Sequence, residues 1–278
     1  MNLKFIVNEY VLIWYLLFQK SISNELNDYK NKLWSNMKNE YTAFQKEKHV
    51  ILEDPKNYIP DNDTIYDMVK EFDDYQKILR ETEQFKIEII RVWDKYKKKI
   101  NDNLFKILKF DISNYNVLLV NPKLNIIDIS SDKDNKIHTL VYGKQINDDN
   151  IRIVLEIIYM IVRKEFKNFD KENSEIVEAI LELAILHELG TRITNKSCYL
   201  FKDSENSLIK RQIYPYFLMY LGIDRDDLFS YMRRDGIVFD ASQYTNEVQL
   251  RKINLREFIS FCINNKKIIL KLDKIEVK

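Results

Sequence analysis

The chain reads as an α+β protein, mostly helical, and three observations point that way. Only four glycines and four prolines punctuate 278 residues, which predicts long regular elements joined by short polar loops. Apolar residues recur at three and four positions through most of the length, the spacing of one helix face. Between 115 and 142 that spacing gives way to alternating or continuously apolar runs, the pattern of strands. With 45% hydrophobic and 13% aromatic residues, the chain has material for a substantial core. The expected whole is a first domain over residues 1–110, an N-terminal strand and helix followed by a long antiparallel helical hairpin arm, and a mixed domain over 111–278. In that domain a small three-stranded antiparallel meander packs on helices.

Taken in order, Leu3 to Val7 suits a short strand, after which Asn8 is placed to cap a buried helix over Tyr10 to Phe18, with Glu9 favourable in its first turn. The same stretch imitates a secretory signal, with Lys4, an apolar run and Ser21-Ile22-Ser23, but Asn8 and Glu9 interrupt its front. The run is also shorter than the roughly 20 apolar residues a bilayer span needs. From Asn24 onward charged residues interleave with aromatics. Leu26, Tyr29, Leu33, Met37, Tyr41 and Phe44 form one stripe, and Met68, Phe72, Tyr75, Leu79, Phe85, Ile89, Trp93, Tyr96, Ile100 and Leu104 form a second. Two such stripes, separated by the breakers around Pro55 and Pro60, predict two antiparallel helices that make an elongated arm.

Tyr115 to Val120, Leu124 to Ser130 and Lys136 to Tyr142 are the three expected strands of the meander, and the apolar segment Asn150 to Phe166 is the helix expected to cover them. Ser174 to Ile193 follows as a helix that is apolar almost all round from Ile180, the signature of a centrally buried element. Asn206 to Leu221 reads as helix despite Pro215, Asp224 to Arg234 as a shorter one ended by Gly236, and Asn254 caps a helix over Phe258 to Ile263. Ile268 to Val277 is expected to close the chain as a strand.

Charge narrows the function classes. Lys and Arg number 44 against 43 Asp and Glu, so no global field draws the chain to nucleic acid or to an anionic membrane. Cys198 and Cys262 stand far apart without a C-x-x-C spacing, which suits a reducing compartment and inert buried thiols. The expected setting is soluble and cytoplasmic. None of the glycine-rich phosphate loops, dinucleotide fingerprints or serine elbows occurs, so those chemistries have no support.

Three constellations remain. His187 and Glu188 spell the first half of the zinc-hydrolase signature H-E-x-x-H, in which the histidines ligate zinc and the glutamate activates a water. Where the second histidine belongs, one turn on, the chain has Thr191. Strands, a covering helix and then a helix bearing His-Glu is the order of elements in zincin-type metallopeptidases, which this central region resembles in outline. The resemblance implies zinc on His187 with Glu188 as base, but it also needs two further ligands. The chain has only His49 and His138 besides, with Asp203 and Glu205 as carboxylate substitutes. The competing account is structural: Glu188 and Arg192 are spaced for an ion pair, and His187 satisfies a neighbour in the core.

Lys210, Arg211, Tyr214 and Tyr216, with Arg233 and Arg234 further on, mix cations and aromatics as nucleic-acid surfaces do. Asp224, Asp226, Asp227 and Asp235 nearby offset that charge, so internal pairing is the expectation. Lys97, Lys98 and Lys99 are consecutive on a predicted helix and fan out around its axis as a solvated flank. Asp128, alone among apolar neighbours on its strand, is read as an edge or capping residue.

The reading these observations favour is a non-catalytic protein-interaction or assembly component without a cofactor. Its arm makes the contact with a protein partner or a second copy, through Trp34, Tyr41, Phe44, Trp93 and Tyr96. A divergent zinc-dependent hydrolase centred on His187 and Glu188 is the first alternative. A phage or mobile-element protein that touches nucleic acid through Lys210, Arg211, Arg233 and Arg234 is the second.

Overall fold

In the computed structural model the described residues are 1–60, 63–129, 138–144, 150–166, 173–196, 207–224, 227–228, 230 and 247–270. The chain divides into two compact units, the first comprising Met1–Lys95 and Ser113–Val154, the second Tyr96–Ile112 and Leu155–Lys278. Among the described residues no helix is long and apolar enough to cross a membrane.

The first unit is built round one apolar helix. Strand β1 (Leu3–Ile6) leads into α1 (Glu9–Phe18), and the side chain of Asn8 caps that helix by accepting from the Val11 N–H at 3.1 Å. Every residue of α1 from Val11 to Leu17 is buried, so the helix has no solvent face and must be wrapped. The wrapping is done by α2 (Asn24–Asn36), α3 (Lys38–Lys46), α4 (Lys48–Glu53) and α5 (Thr64–Lys70). These bring Leu26, Leu33, Phe44, Ile51, Leu52, Ile65 and Val69 into one core with α1. Helix termini are closed locally: Lys30 Nζ donates to the Gln19 carbonyl at the end of α1, 2.6 Å away.

This replaces the expected two-helix hairpin. The second stripe does form one long helix, α6 (Tyr75–Leu108), but the first arm breaks at Met37 and Glu47 into short helices. The reason lies in α1: an all-apolar cylinder is covered better by several short helices turning round it than by one straight rod lying along one side.

The expected three-stranded antiparallel meander is corrected as well. Strands β2 (Tyr115–Leu119), β3 (Ile126–Ile129) and β4 (Thr139–Gly143) join β1 in a four-stranded mixed sheet of order β1-β2-β4-β3. β1 pairs parallel with β2 (Leu3 opposite Tyr115) and β2 parallel with β4 (Asn116 opposite Thr139), while β3 alone is antiparallel (Asp128 opposite Val141). Burial explains the order. β4 is buried at every position and takes a central place, whereas β3 is half-buried throughout and lies at the edge. A 3₁₀ turn (Pro122–Leu124), followed by Asn125 at φ 50°, separates β2 from β3 and leaves room for β4 between them. Gly143 ends β4 where a Cβ would lie 2.5 Å from Val120 Cγ2 and 2.9 Å from the Asn121 carbonyl oxygen, so only hydrogen fits. The three tryptophans, Trp14, Trp34 and Trp93, all belong to this unit.

The second unit is helical. It takes in the end of α6 from Tyr96 and the greater part of α7 (Asn150–Lys164), and further along the chain one unbroken helical run made of α8 (Ser174–Leu181), a π-helical stretch (Glu182–Leu189) and α9 (Gly190–Thr194). Buried almost throughout, this run is the core element the sequence predicts; its end is closed by Asn195 at φ 57° and by Lys99 Nζ on the Ile193 carbonyl at 2.9 Å. Against it pack α10 (Ser207–Tyr220) and a later helix, Leu255–Asn264, which starts with the complete capping box of Asn254 and Glu257. Pro215 sits inside α10 and removes one ladder bond, yet the helix continues because Tyr214, Phe217 and Leu218 are all fully buried. Phe217, Tyr220 and Phe258 stack in sequence. Cys262 is buried beside them on the Leu255–Asn264 helix, whereas Cys198 lies outside the described residues. The expected C-terminal strand does not begin at Ile268, because Lys266–Ile269 is helical; residues 271–278 lie outside the described residues. Most of Asp224 to Arg234 also lies outside them.

Candidate functional site

The chemistry-bearing residues of the second unit converge where the π-helical stretch meets α10. A π-helix bonds each N–H to the carbonyl five residues back, and here Gly190 N–H donates to the carbonyl of Ile185. Glu182 is the first residue of the stretch. Its carboxylate accepts from Lys210 Nζ at 2.7 Å, and the Lys210 side chain is only 2% exposed while that of Glu182 is 19% exposed. His187 is fully buried, its Nε2 3.4 Å from the Tyr214 hydroxyl, with the two rings edge to face at 5.7 Å. Lys210 and Tyr214 stand one turn apart on α10, so a pair of polar contacts links two turns of one helix to two turns of the other. Glu188 completes the group by accepting from Arg192 Nε at 2.6 Å, the ion pair that the i, i+4 spacing predicts. On α7, burial pushes the Tyr159 phenol well above its ordinary value and keeps it protonated; the Arg163 charge opposes that shift, and the carboxylates of Glu182, Glu178 and Glu156 add to it.

These surroundings determine what His187 and Glu188 can do. Glu188 is mostly buried and engaged by a guanidinium, and His187 Nε2 faces the Tyr214 hydroxyl. Among the described residues no group of three or more His, Cys, Asp or Glu side chains is placed to hold a metal ion. His49 and His138 belong to the first unit, and Asp203 and Glu205 lie outside the described residues.

Lys210, the first cation of the sequence cluster, is turned inward onto Glu182, and Tyr214 and Tyr216 are buried with it. Arg211 is exposed. Asp224 pairs not with this cluster but with Arg251 at 2.7 Å. Arg233 and Arg234 lie outside the described residues.

The five aromatic residues expected on the arm separate into two kinds. Tyr41, Phe44 and Trp93 are core: Tyr41 donates its hydroxyl to the Leu17 carbonyl at 3.1 Å, Phe44 stands 6.0 Å from the ring of Phe18, and Trp93 meets Phe5 edge on at 6.3 Å. Tyr96 is half-buried. Trp34 is 43% exposed, held by Lys38 Nζ 5.3 Å over its ring and by the edge of Tyr41 at 5.6 Å.

One polar cluster was not foreseen as such. Asp128 on β3 accepts from the Tyr15 hydroxyl at 2.7 Å and from Lys48 Nζ at 2.5 Å, and that ammonium also lies 5.0 Å above the Trp14 ring. Burial on its own would raise the Asp128 carboxyl, but the hydrogen bonds from Lys48 and Tyr15 and the charges of Lys48 and His49 outweigh it and hold the group below its ordinary value. The signal in the sequence was a single acid in an apolar strand; its partners are 80 and 113 residues away. Comparison with family models, with curated proteins and with solved structures finds no match to this chain.

Proposed function

We propose that this chain is a non-catalytic binding component that docks onto another protein or onto a second copy of itself, with Trp34 at the centre of the contact. The observation that carries the reading is the exposure of Trp34. A side chain of that size stands 43% open on α2, and Lys38 and Tyr41 fix its ring. Tryptophan is the residue type most often found as an interface anchor, and a ring whose orientation is already fixed loses little entropy on docking. In the same unit Tyr41 supports the ring from the core, and the buried Phe44 is part of that core rather than of the contact.

The companion support is that three carboxylates beside the candidate sites are each tied to a cation: Glu182 to Lys210, Glu188 to Arg192 and Asp128 to Lys48. The hydrolase reading draws on His187 and Glu188 alone and needs two further ligands from residues outside the described ones. The nucleic-acid reading keeps Arg211, and its other arginines are outside the described residues.

The test compares the full chain with Trp34→Ala. Light scattering over a range of concentrations reads self-association, and affinity purification from source cells reads a heterologous partner. A dimer or a co-purifying protein that is lost in Trp34→Ala, with the melting temperature retained, supports the reading. A monomer whose co-purifying proteins are the same for both forms refutes it.

A further inference from the structure

Among the described residues the π-helical stretch is the longest departure from α-helical or strand backbone, and its position coincides with the two polar contacts to α10. In an α-helix, residues five apart point to different sides, because a turn closes in 3.6 residues. In a π-helix, residues five apart are one turn apart and face the same way. Glu182 and His187 are five apart, and both face α10: Glu182 meets Lys210 and His187 meets Tyr214. Lys210 and Tyr214 are four apart on an α-helix and so share a face there as well. The two rungs therefore match only if Glu182–Leu189 keeps the wide turn.

The flanks are ordinary. Glu182 N–H still donates to the Glu178 carbonyl four residues back, and beyond the stretch Asn195 N–H returns to the Thr191 carbonyl, again four back. The wide turn is thus an insertion of surplus chain between two α-helical segments, each locked by its own buried side chains, Ile176 and Ile180 on one side and Ile193 on the other. Uncommon backbone of this kind persists where its surroundings over-determine it.

We propose that Glu182–Leu189 is a register lock: one surplus residue is stored in the helix, and the Glu182–Lys210 and His187–Tyr214 rungs pin it there. The lock holds His187 and Glu188 in their present orientation, and it is independent of the reading of Trp34 as a contact. One consequence separates this account from two unrelated polar contacts. Deleting one residue of the stretch puts Glu182 and the histidine four apart, the spacing at which an ordinary α-helix presents both to Lys210 and Tyr214.

The experiment compares deletion of Ala184, inside the stretch, with deletion of Ala179, inside α8. The two residues are of the same type and both are fully buried. Deleting Ala184 is expected to leave a folded protein with an uninterrupted α-helix, melting within a few degrees of the parent. Deleting Ala179 turns either Ile176 and Val177 or Ile180 and Leu181 out of their buried places and is expected to abolish cooperative melting of the unit. As a second measurement, Glu182→Gln is introduced into the full chain and into the Ala184 deletion, where it should lower the melting temperature equally because the rung is kept. Equal damage from the two deletions overturns the proposal, as does a Glu182→Gln effect that vanishes in the Ala184 deletion.

Discussion

The Glu182–Lys210 pair is expected to respond differently to losing one partner than to losing both. Lys210 is 2% exposed, so Glu182→Leu leaves an ammonium in the core with its counter-charge gone. Breaking a desolvated pair from one side costs roughly 3 to 5 kcal/mol. With a denaturant slope of about 2 to 3 kcal/mol/M, that moves the urea midpoint down by about 1.5 M. Lys210→Met is expected to cost less, about 1 to 3 kcal/mol, because Glu182 is 19% exposed and its carboxylate keeps some contact with water. The double replacement, Glu182→Leu with Lys210→Met, puts two apolar side chains of similar volume together. It should recover most of the loss, since apolar replacements of buried pairs are often neutral or better. Urea unfolding followed by far-ultraviolet circular dichroism reads all three variants. If the double variant is as unstable as the two single losses added together, or if neither single change moves the midpoint by more than about 0.3 M, the pair is not desolvated and the reasoning fails.

Two further predictions concern the first unit. Gly143→Ala places a methyl group 2.9 Å from the Asn121 carbonyl oxygen, and it is expected to cost about 1 to 3 kcal/mol, seen as a drop of several degrees in a thermal melt; an unchanged melt would mean that β4 and the loop after β2 part easily. Asp128 is held below its ordinary value in the folded state, so its contribution is complete above the unfolded carboxyl value of about 3.9 and disappears as the pH falls through the folded value. The stability of the parent should therefore decline more steeply than that of Asp128→Asn below about pH 4. Parallel declines would place the acid sensitivity elsewhere.

Local features were legible in the sequence and pairings across distance were not. Asn8 at the start of α1 and Asn254 with Glu257 at the start of the Leu255–Asn264 helix are caps whose partners lie within three residues, so composition and spacing suffice to find them. The Glu188–Arg192 pair was readable for the same reason. The strand order was not, because continuous apolar runs such as Val117 to Val120 suit a buried parallel strand as well as one arm of a meander. What decides between them is β1, whose partner Tyr115 lies 112 positions after Leu3. The two aromatic stripes predict which face of each helix turns inward, but not that α1 would draw Tyr41 and Phe44 fully inside while leaving Trp34 at the surface. The π-helical stretch left no trace in the pattern, since a segment apolar on every side, as Leu183 to Ile185 and Leu189 are, reads the same at any helical period.

The placement of Trp14, Trp34 and Trp93 makes the two units spectroscopically unequal. Indole emission excited selectively arises within Met1–Lys95 of the first unit, and Trp34, the most open of the three, dominates its response to a soluble quencher. The other unit carries tyrosine and phenylalanine but no indole, so it emits nothing of its own in that channel. Loss of emission change on denaturation is therefore a statement about one half of the chain, and an indole placed at Phe261 would give the other half its own optical signal.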